Sequence, residues 1–390
     1  MDVSIFIASR LRFKGRMAMV CIAISFLVMI IAVAVSSGFR NEIRDGLSGL
    51  TGDIQITPVD MNYIGGTSPV GRYPSWLDRV SAIDGVEDVS AAVYRAGIIK
   101  NGDNIHGVVF KGVEPSGSDS LETMTVKVPG RLADMLQLAP GDDMLAYFVG
   151  ERVRARKFRV ASVYDPMVDA EDKMVVYASI SDLQRLNGWT SGQVSALEVR
   201  LDDSCRNVHD MKRLSDIIGF TIYSASSEDD ETVVAESAAD RYPQLFDWLN
   251  LIDFNVLFIL VLMTVVAGFN MISGLLIMLF ENISTIGLLK ALGMTDRSIA
   301  KIFLASSSVI VFKGMAAGNI SALLFCLIQD RTRFLSLDPA NYFVSFVPVH
   351  ADIGLILLAD LAAFCIIMLL LLVPSLFIAR VDPAKSVSVR

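Results

Sequence analysis

The chain has 390 residues, a formal net charge of −8 and 53% hydrophobic residues, and its mean hydropathy is +0.52. This hydrophobic content exceeds the usual apolar share of a soluble globular protein, and the acidic balance argues against nucleic acid as a partner. Composition therefore predicts a membrane protein and excludes a nucleic-acid-binding protein.

Four apolar runs are long enough to cross a membrane. Each has about 20 or more residues with very few charges, the length needed to span a hydrocarbon core of roughly 30 Å. They predict a membrane α-helical fold with four transmembrane helices and a large α+β extracytoplasmic domain inserted between helices 1 and 2. The predicted order is N-terminal segment 1–16, first span 17–39, domain 40–253, second span 254–280, connecting segment 281–301, third span 302–328, short outer loop 329–352, fourth span 353–379 and tail 380–390.

Basic residues beside the spans predict the orientation. The positive-inside rule places segments rich in Lys and Arg in the cytoplasm, which puts both termini there and the large domain outside. Four basic residues precede the first span, three follow the fourth, and two lie in the outer loop and oppose this assignment: Arg10, Arg12, Lys14 and Arg16; Arg380, Lys385 and Arg390; Arg331 and Arg333.

The segment between the first two spans has the composition of a folded domain. Residues 40–253 contain 21 basic and 34 acidic residues, a net charge of −13. Its periodicities predict two βαβ-type halves with an insert at 114–157. The predicted strands are 52–57, 86–92, 96–100, 105–113, 158–163, 174–177, 194–201 and 220–223, and the predicted helices are 76–83, 181–187 and 208–218. A further amphipathic helix, 236–253, is predicted to enter the second span without a break after Pro243, which suits mechanical coupling better than a flexible linker would.

The sequence contains no motif for chemistry of its own. The phosphate-binding pattern G-x-x-x-x-G-K-[ST] is absent, and no Ser or Cys nucleophile has a recognisable motif. The three histidines, His106, His209 and His350, do not have the spacing of zinc ligands. We therefore predict a protein that is not an enzyme and binds no cofactor or metal.

The segment that follows the second span is predicted to be a short amphipathic helix at the cytoplasmic membrane surface. Its apolar residues recur at helical spacing, with polar residues and two glycines between them. Such a helix suits a groove on a partner protein, although a plain interfacial loop would have a similar composition. The candidate coupling residues are Glu281, Ile283, Ile286, Gly287, Leu289, Lys290, Leu292 and Gly293.

These residues carry a family resemblance. The segment 281–293 resembles the coupling-helix signature of the FtsX-like permeases, whose extracytoplasmic domain is of MacB type. Further segments, in chain order, make the whole chain similar to the lipoprotein-releasing (Lol) permeases of ABC transporters. They are 36–43, Phe110-Lys111-Gly112-Val113-Glu114, 261–277, 337–343, 347–349 and 382–385.

The resemblance implies a mechanism and partners. Two permeases, either two copies or two paralogues, would pair with a cytoplasmic ABC ATPase dimer that binds ATP and Mg²⁺. The assembly would extract lipoproteins from the bacterial inner membrane and pass them to a periplasmic lipoprotein chaperone. Two alternatives stay open: a mechanotransmission permease that drives a periplasmic efflux duct, and an FtsX-like activator of a cell-wall hydrolase.

Two candidate sites follow for the lipoprotein and the chaperone. The outer halves of spans one and two offer apolar faces for acyl chains, although the same faces suit ordinary helix packing or lipid contact. These residues are Val33, Val35, Phe39, Ile43, Phe254, Leu257, Leu260 and Met263. A hairpin at 146–160 would dock the chaperone through Arg152, Arg154 and Arg156, which period-two alternation puts on one strand face; a charged edge strand that prevents aggregation is the alternative.

Two charged residues interrupt the third and fourth spans. Lys313 and Asp360 each cost free energy in a membrane unless they are compensated. Mutual pairing or a functional role is one interpretation, and snorkelling or hydrogen bonding inside the bundle is the other.

Overall fold

A computed structural model describes residues 16–59, 64–65, 68–102, 104–114, 121–150, 153–166, 174–227, 230–338, 342 and 344–375. The chain divides into two compact units. The first, the helical unit, comprises residues 1–40, 249–336 and 347–390, and the second, the α+β unit, comprises residues 41–248 and 337–346. The basic residues predicted at the two termini, Arg16 excepted, lie outside the described residues.

The helical unit is built on four helices that are long and apolar enough to cross a membrane. They contain the four predicted spans, as far as those are described. Their bounds are α1 (Arg16–Thr51), α7 (Pro243–Glu281), α9 (Asp296–Thr332) and α10 (Ile353–Leu370), with the short helices α8 (Ile283–Ala291) between α7 and α9 and α11 (Leu372–Ser375) after α10. Both α1 and α7 are continuous well beyond the predicted spans.

Small residues bring these helices close together. In α9, Gly314 and Gly318 face α1, and a Cβ on Gly318 would lie 2.5 Å from the Ala23 carbonyl oxygen. This small-xxx-small spacing lets two membrane helices approach closely where no hydrophobic effect drives their association. Buried apolar side chains from all four long helices then form the core of the unit, among them Phe26, Met271 and Phe303.

The α+β unit contains a nine-stranded sheet with the order β11-β1-β10-β3-β4-β8-β5-β7-β6. Its strands are β1 (Ile54–Pro58), β3 (Val86–Asn101), β4 (Asn104–Val113), β5 (Thr125–Pro129), β6 (Asp143–Phe148), β7 (Arg154–Tyr164), β8 (Val175–Ser179), β10 (Ala196–Leu201) and β11 (Val233–Ser237), while β2 (Val70–Gly71) and β9 (Gln193–Val194) form a separate pair. The helices of this unit are α2 (Leu77–Ser81), α3 (Gly130–Leu136), α4 (Ile180–Asn187), α5 (Val208–Ala225) and α6 (Ala238–Arg241).

The sheet combines two sub-structures. The strands β11-β1-β10-β3, with α2 between β1 and β3 and α5 between β10 and β11, form the two split βαβ units of a ferredoxin-like sheet. The strand β3 pairs with β4 and also with β6, so β3, β4, β8, β5, β7 and β6 close into a six-stranded ring. The first βαβ unit is β1-α2-β3 and the second is β10-α5-β11. The predicted insert at 114–157 is too narrow, because the inserted strands run from β4 to β8.

Two local predictions need correction. The predicted strand 220–223 is the last part of α5, which continues through Gly219 because Ile222 extends the buried stripe of Met211, Leu214 and Ile218. The predicted helix 236–253 is interrupted: residues Val233–Ser237 form β11, α6 follows, and the continuous helix begins at Pro243. Beyond Pro243 the predicted unbroken entry into the second span is confirmed.

Candidate functional site

A short helix, α8, connects the second and third long helices. Gly293 follows it with a φ of +88°, a left-handed conformation that suits glycine because it has no Cβ. Thr295 then caps α9, since its side-chain oxygen accepts a hydrogen bond from the Ser298 amide. The Lys290 ammonium lies 2.9 Å from an Asp296 carboxylate oxygen. The turn, the cap and the ion pair together fix α8 against the start of α9.

The exposed face of α8 differs from the predicted one. Ile286 is 0% exposed and belongs to the core of the helical unit, Gly287 is also buried, and Leu289 packs partly against the same core. The exposed apolar side chains are Leu288 at 57% and Leu292 at 74%. Of the predicted anchors, Ile286 and Leu289 therefore pack within the chain itself, while Leu292 is available to a partner. Among the remaining predicted residues, Ile283 and Lys290 are half-buried and Glu281 and Gly293 are exposed.

The predicted lipoprotein residues separate into a buried and an exposed set. On α1, Val33, Phe39 and Ile43 are buried and Val35 is half-buried, so the predicted apolar face of span one is enclosed by its own chain. On α7, Phe254 and Leu257 are exposed, and Leu260 and Met263 are partly so. The neighbouring Phe258, Val261 and Phe269 are exposed as well. Of the two predicted faces, the one on α1 is therefore covered by the chain itself, and the one on α7 is open.

A polar junction that the sequence did not reveal joins α1 to α7 and to the segment before α10. The Asp253 carboxylate accepts a 2.7 Å hydrogen bond from the Ser36 hydroxyl and pairs with the Arg40 guanidinium. On the same helix, a Cβ on Gly38 would lie 2.4 Å from the Pro348 carbonyl oxygen. We name Ser36, Gly38, Arg40, Asp253 and Pro348 the Arg40-end junction. Two segments of the family resemblance, 36–43 and 347–349, thus meet in space.

The hairpin predicted to dock a chaperone is present as β6 and β7, which pair from Asp143 opposite Arg159 to Phe148 opposite Arg154. The Arg154 guanidinium donates to the Leu186 carbonyl in the last turn of α4. Arg156 is exposed and donates to the adjacent Ala155 carbonyl. Arg152 lies outside the described residues. Arg154 therefore stabilises the fold, whereas Arg156 is exposed on the surface.

The opposite strand face of this hairpin carries its own ion pair. The Lys157 ammonium lies 2.8 Å from Asp143 and the Arg159 guanidinium 3.7 Å from it. The hydrogen bond from Lys157, together with the charges of both bases, holds the pKa of the Asp143 carboxyl below its usual value. Lys157 and Arg159 are therefore partly neutralised, which leaves Arg156 as the more available cation.

A buried ionic network holds the carboxyl end of α1 inside the α+β unit. The Lys111 ammonium donates to the carbonyl oxygens of Gly49 and Leu50 at 3.1 and 2.8 Å and lies 2.8 Å from a Glu198 carboxylate oxygen. The Tyr94 hydroxyl donates to the other Glu198 oxygen. Burial, and secondarily the charge of Glu198, raise the pKa of Tyr177 to about 12. We name Lys111, Glu198 and Tyr94 the helix-end anchor; a cation there complements the negative end of the helix dipole.

The described parts of the chain contain no group of three or more His, Cys, Asp and Glu residues that could hold a metal ion. The helices and the folded insert thus define the class: a multi-pass membrane protein with four candidate spans, an α+β domain between the first and second, and a short surface helix between the second and third.

Comparison with known proteins identifies the family. Residues 17–207 match the MacB-like periplasmic core domain, and residues 257–383 match the FtsX-like permease C-terminal domain. The lipoprotein-releasing system transmembrane protein LolC of Neisseria meningitidis is 22% identical over 404 residues, covering 94% of this chain and 91% of that protein. LolE of Haemophilus influenzae is 20% identical over 409 residues, with coverages of 94% and 92%. The chain belongs to the FtsX-like, MacB-type permease superfamily.

Among solved structures, one shows a partial similarity to this chain. The periplasmic region of MacB from Actinobacillus actinomycetemcomitans covers 50% of this chain and 92% of its own at 12% identity, with a TM-score of 0.32.

Proposed function

We propose that this chain is the permease subunit of an ABC transporter that extracts lipoproteins from the bacterial inner membrane. The observation that carries the proposal is the end-to-end similarity to LolC and LolE, which includes both the membrane helices and the inserted domain. The chain lies in the inner membrane as a multi-pass protein, with both termini cytoplasmic and the domain periplasmic. This orientation rests on the basic residues beside the spans.

The energetics require a partner. Removing an acyl chain from lipid costs about 0.8 kcal/mol per CH₂ group, so a lipoprotein with several chains cannot leave the membrane unaided. The sequence has no P-loop, and ATP with Mg²⁺ is therefore bound by a cytoplasmic ABC ATPase dimer. The exposed Leu288 and Leu292 of α8 are the contacts we assign to that ATPase, and a second permease, identical or paralogous, completes the assembly.

The substrate and the acceptor occupy different surfaces. Acyl chains lie against the open face of α7 at Phe254, Leu257 and Phe258, because the corresponding face of α1 is enclosed. A periplasmic lipoprotein chaperone docks at the β6–β7 hairpin, where Arg156 offers an exposed positive charge in a domain of net charge −13. An acidic chaperone surface would be steered to that charge.

A depletion experiment tests the proposal. Cells depleted of the protein should accumulate an outer-membrane lipoprotein in the inner membrane, measured by fractionation and immunoblotting, and the wild-type chain should restore its distribution. A normal lipoprotein distribution after depletion would contradict the proposal. A normal lipoprotein distribution combined with sensitivity to exported drugs would favour a permease that drives an efflux duct instead.

A further inference from the structure

One carboxyl group lies inside the helical unit without a countercharge. Asp360 is 5% exposed and belongs to the buried stripe of α10 that includes Ile356, Ala363 and Ile367. At 1.5 Å per residue it lies about 10 Å from the beginning of that helix, well within a span. An ionised carboxylate at such a depth is costly unless it is paired.

The surrounding helices offer no suitable cation. Residues 17–39, 254–280, 302–328 and 353–375 contain only one other charged side chain, Lys313, and three titratable thiols, Cys21, Cys326 and Cys365. Lys313 is exposed on α9, and no ion pair links it to Asp360 among the residues the structure describes. It also lies about 120° around α9 from Asn319, six residues away at 3.6 residues per turn, so the two face different sides. The interpretation that Lys313 and Asp360 pair is wrong.

Asn319 of α9 is the partner of Asp360. Its amide nitrogen Nδ2 donates to Asp360 Oδ2. The two remaining oxygens, Asp360 Oδ1 and Asn319 Oδ1, are both buried, and neither has a hydrogen-bond partner among the described residues. In the ionised state both atoms are acceptors only, and each unsatisfied buried acceptor costs free energy. A single proton between them would satisfy both.

We propose that Asp360 is held as the neutral acid and that its proton is shared with Asn319. Asp360 Oδ1–H donates to Asn319 Oδ1, while Asn319 Nδ2–H donates to Asp360 Oδ2. The two side chains then form a reciprocal pair of hydrogen bonds between α9 and α10, and every polar atom of the pair has a partner. Ionisation would put an uncompensated charge between the helices and separate them, so the pair is a proton-dependent clasp. This inference does not depend on the substrate of the permease.

Infrared difference spectroscopy of the full chain in lipid nanodiscs tests the clasp. The wild-type protein minus Asp360→Asn should show, at neutral pH, the carbonyl stretch of a hydrogen-bonded protonated carboxyl group. Asp360→Asn is a suitable reference because two amides can form the same reciprocal pair, and we expect its thermal unfolding midpoint to match that of the wild type. Asn319→Ala should shift the band to higher frequency, as the acid loses its acceptor, and should lower the midpoint.

Lys313→Gln is the control. It should leave the carboxyl band and the unfolding midpoint unchanged, whereas a response would reveal a partnership with Lys313 and overturn the proposal. Absence of the protonated-carboxyl band from the wild-type protein at neutral pH would also overturn it. If Asn319→Ala does not fold, the comparison of wild type with Asp360→Asn still decides whether the acid carries a proton.

Discussion

Lys111 has a set of partners that is unusual for a lysine. Its ammonium is buried against two backbone carbonyls of α1 and the carboxylate of Glu198. A buried pair of this kind is weak evidence for net stability, but removing one member leaves the other charge uncompensated, at a cost of about 3–5 kcal/mol. The helix-end anchor is therefore more sensitive to single substitutions than to replacement of the whole pair.

Lys111→Met should lower the free energy of unfolding of the α+β unit by about 3–5 kcal/mol, because Glu198 and the helix carbonyls lose their cation. The matched control is Lys212→Met, which removes a half-exposed lysine 2.7 Å from Asp240; such a surface pair contributes little to stability. Denaturant titration of both variants, followed by tryptophan fluorescence, measures the difference. Equal losses would show that the anchor behaves as an ordinary surface pair.

Two glycines of α1 provide a second comparison at the residue scale. A Cβ at Gly38 would lie 2.4 Å from the Pro348 carbonyl oxygen, whereas a Cβ at Gly49 would meet no atom within 4 Å. Gly38→Ala should therefore lower the thermal unfolding midpoint and the yield of folded protein, since backbone must move. Gly49→Ala should be neutral or stabilising by about 0.5–1 kcal/mol, because alanine favours the helix. Equal midpoints for the two variants would contradict the close contact at the Arg40-end junction.

At the scale of elements, α8 shows why a face is harder to predict than a helix. Ile283, Ile286, Leu289 and Leu292 have helical spacing, but Leu288 is equally apolar, and the sequence does not say which apolar residues meet the rest of the chain. Ile286 is buried in a core to which α1 and α10, both distant in sequence, contribute together with α7 and α9. The existence of the helix was predictable from local pattern, and its partner-facing side was not.

Leu288→Asp and Leu292→Asp should abolish transport-linked ATP hydrolysis while the permease still inserts and folds, because both side chains are exposed. Ile286→Asp should instead reduce folded yield, since it buries a charge in the core. Co-purification with the ATPase and size-exclusion profiles of the three variants distinguish these outcomes. Wild-type ATPase binding by both Leu288→Asp and Leu292→Asp would exclude α8 as the contact.

The same distinction between local and non-local information applies to the strands and spans. The four spans follow from hydropathy because about 20 consecutive apolar residues have few alternatives. The β6–β7 hairpin is also local and was predicted. The pairing of β3 with β6 closes a ring between segments more than 40 residues apart, and Asp253 meets Arg40 across 213 residues. Neither contact can be predicted from the periodicity of a local sequence segment.

At the scale of the whole molecule, the charge distribution predicts how fast lipoprotein is transferred to the chaperone. Arg156→Glu should slow lipoprotein transfer to the acceptor and weaken the salt dependence of its rate, since long-range attraction acts on association. Arg79→Glu changes the net charge equally at an exposed site on α2 and should have little effect. Rates of release from proteoliposomes at low and high salt measure both. Identical behaviour of the two variants would mean that the hairpin is a protected edge rather than a docking site.

The lengths of α1 and α7 have a mechanical consequence. Uninterrupted helices of 36 and 39 residues measure about 54 and 58 Å at 1.5 Å per residue, nearly twice the hydrocarbon thickness of roughly 30 Å. Each helix is stiff along its whole length, and only about half of it fits within the hydrocarbon core. A change in tilt of about 10°, within the range that membrane helices adopt, sweeps one tip about 9 Å relative to the other. A small change in the tilt of either helix within the bilayer therefore moves its far end by more than the spacing between two β-strands, about 4.8 Å.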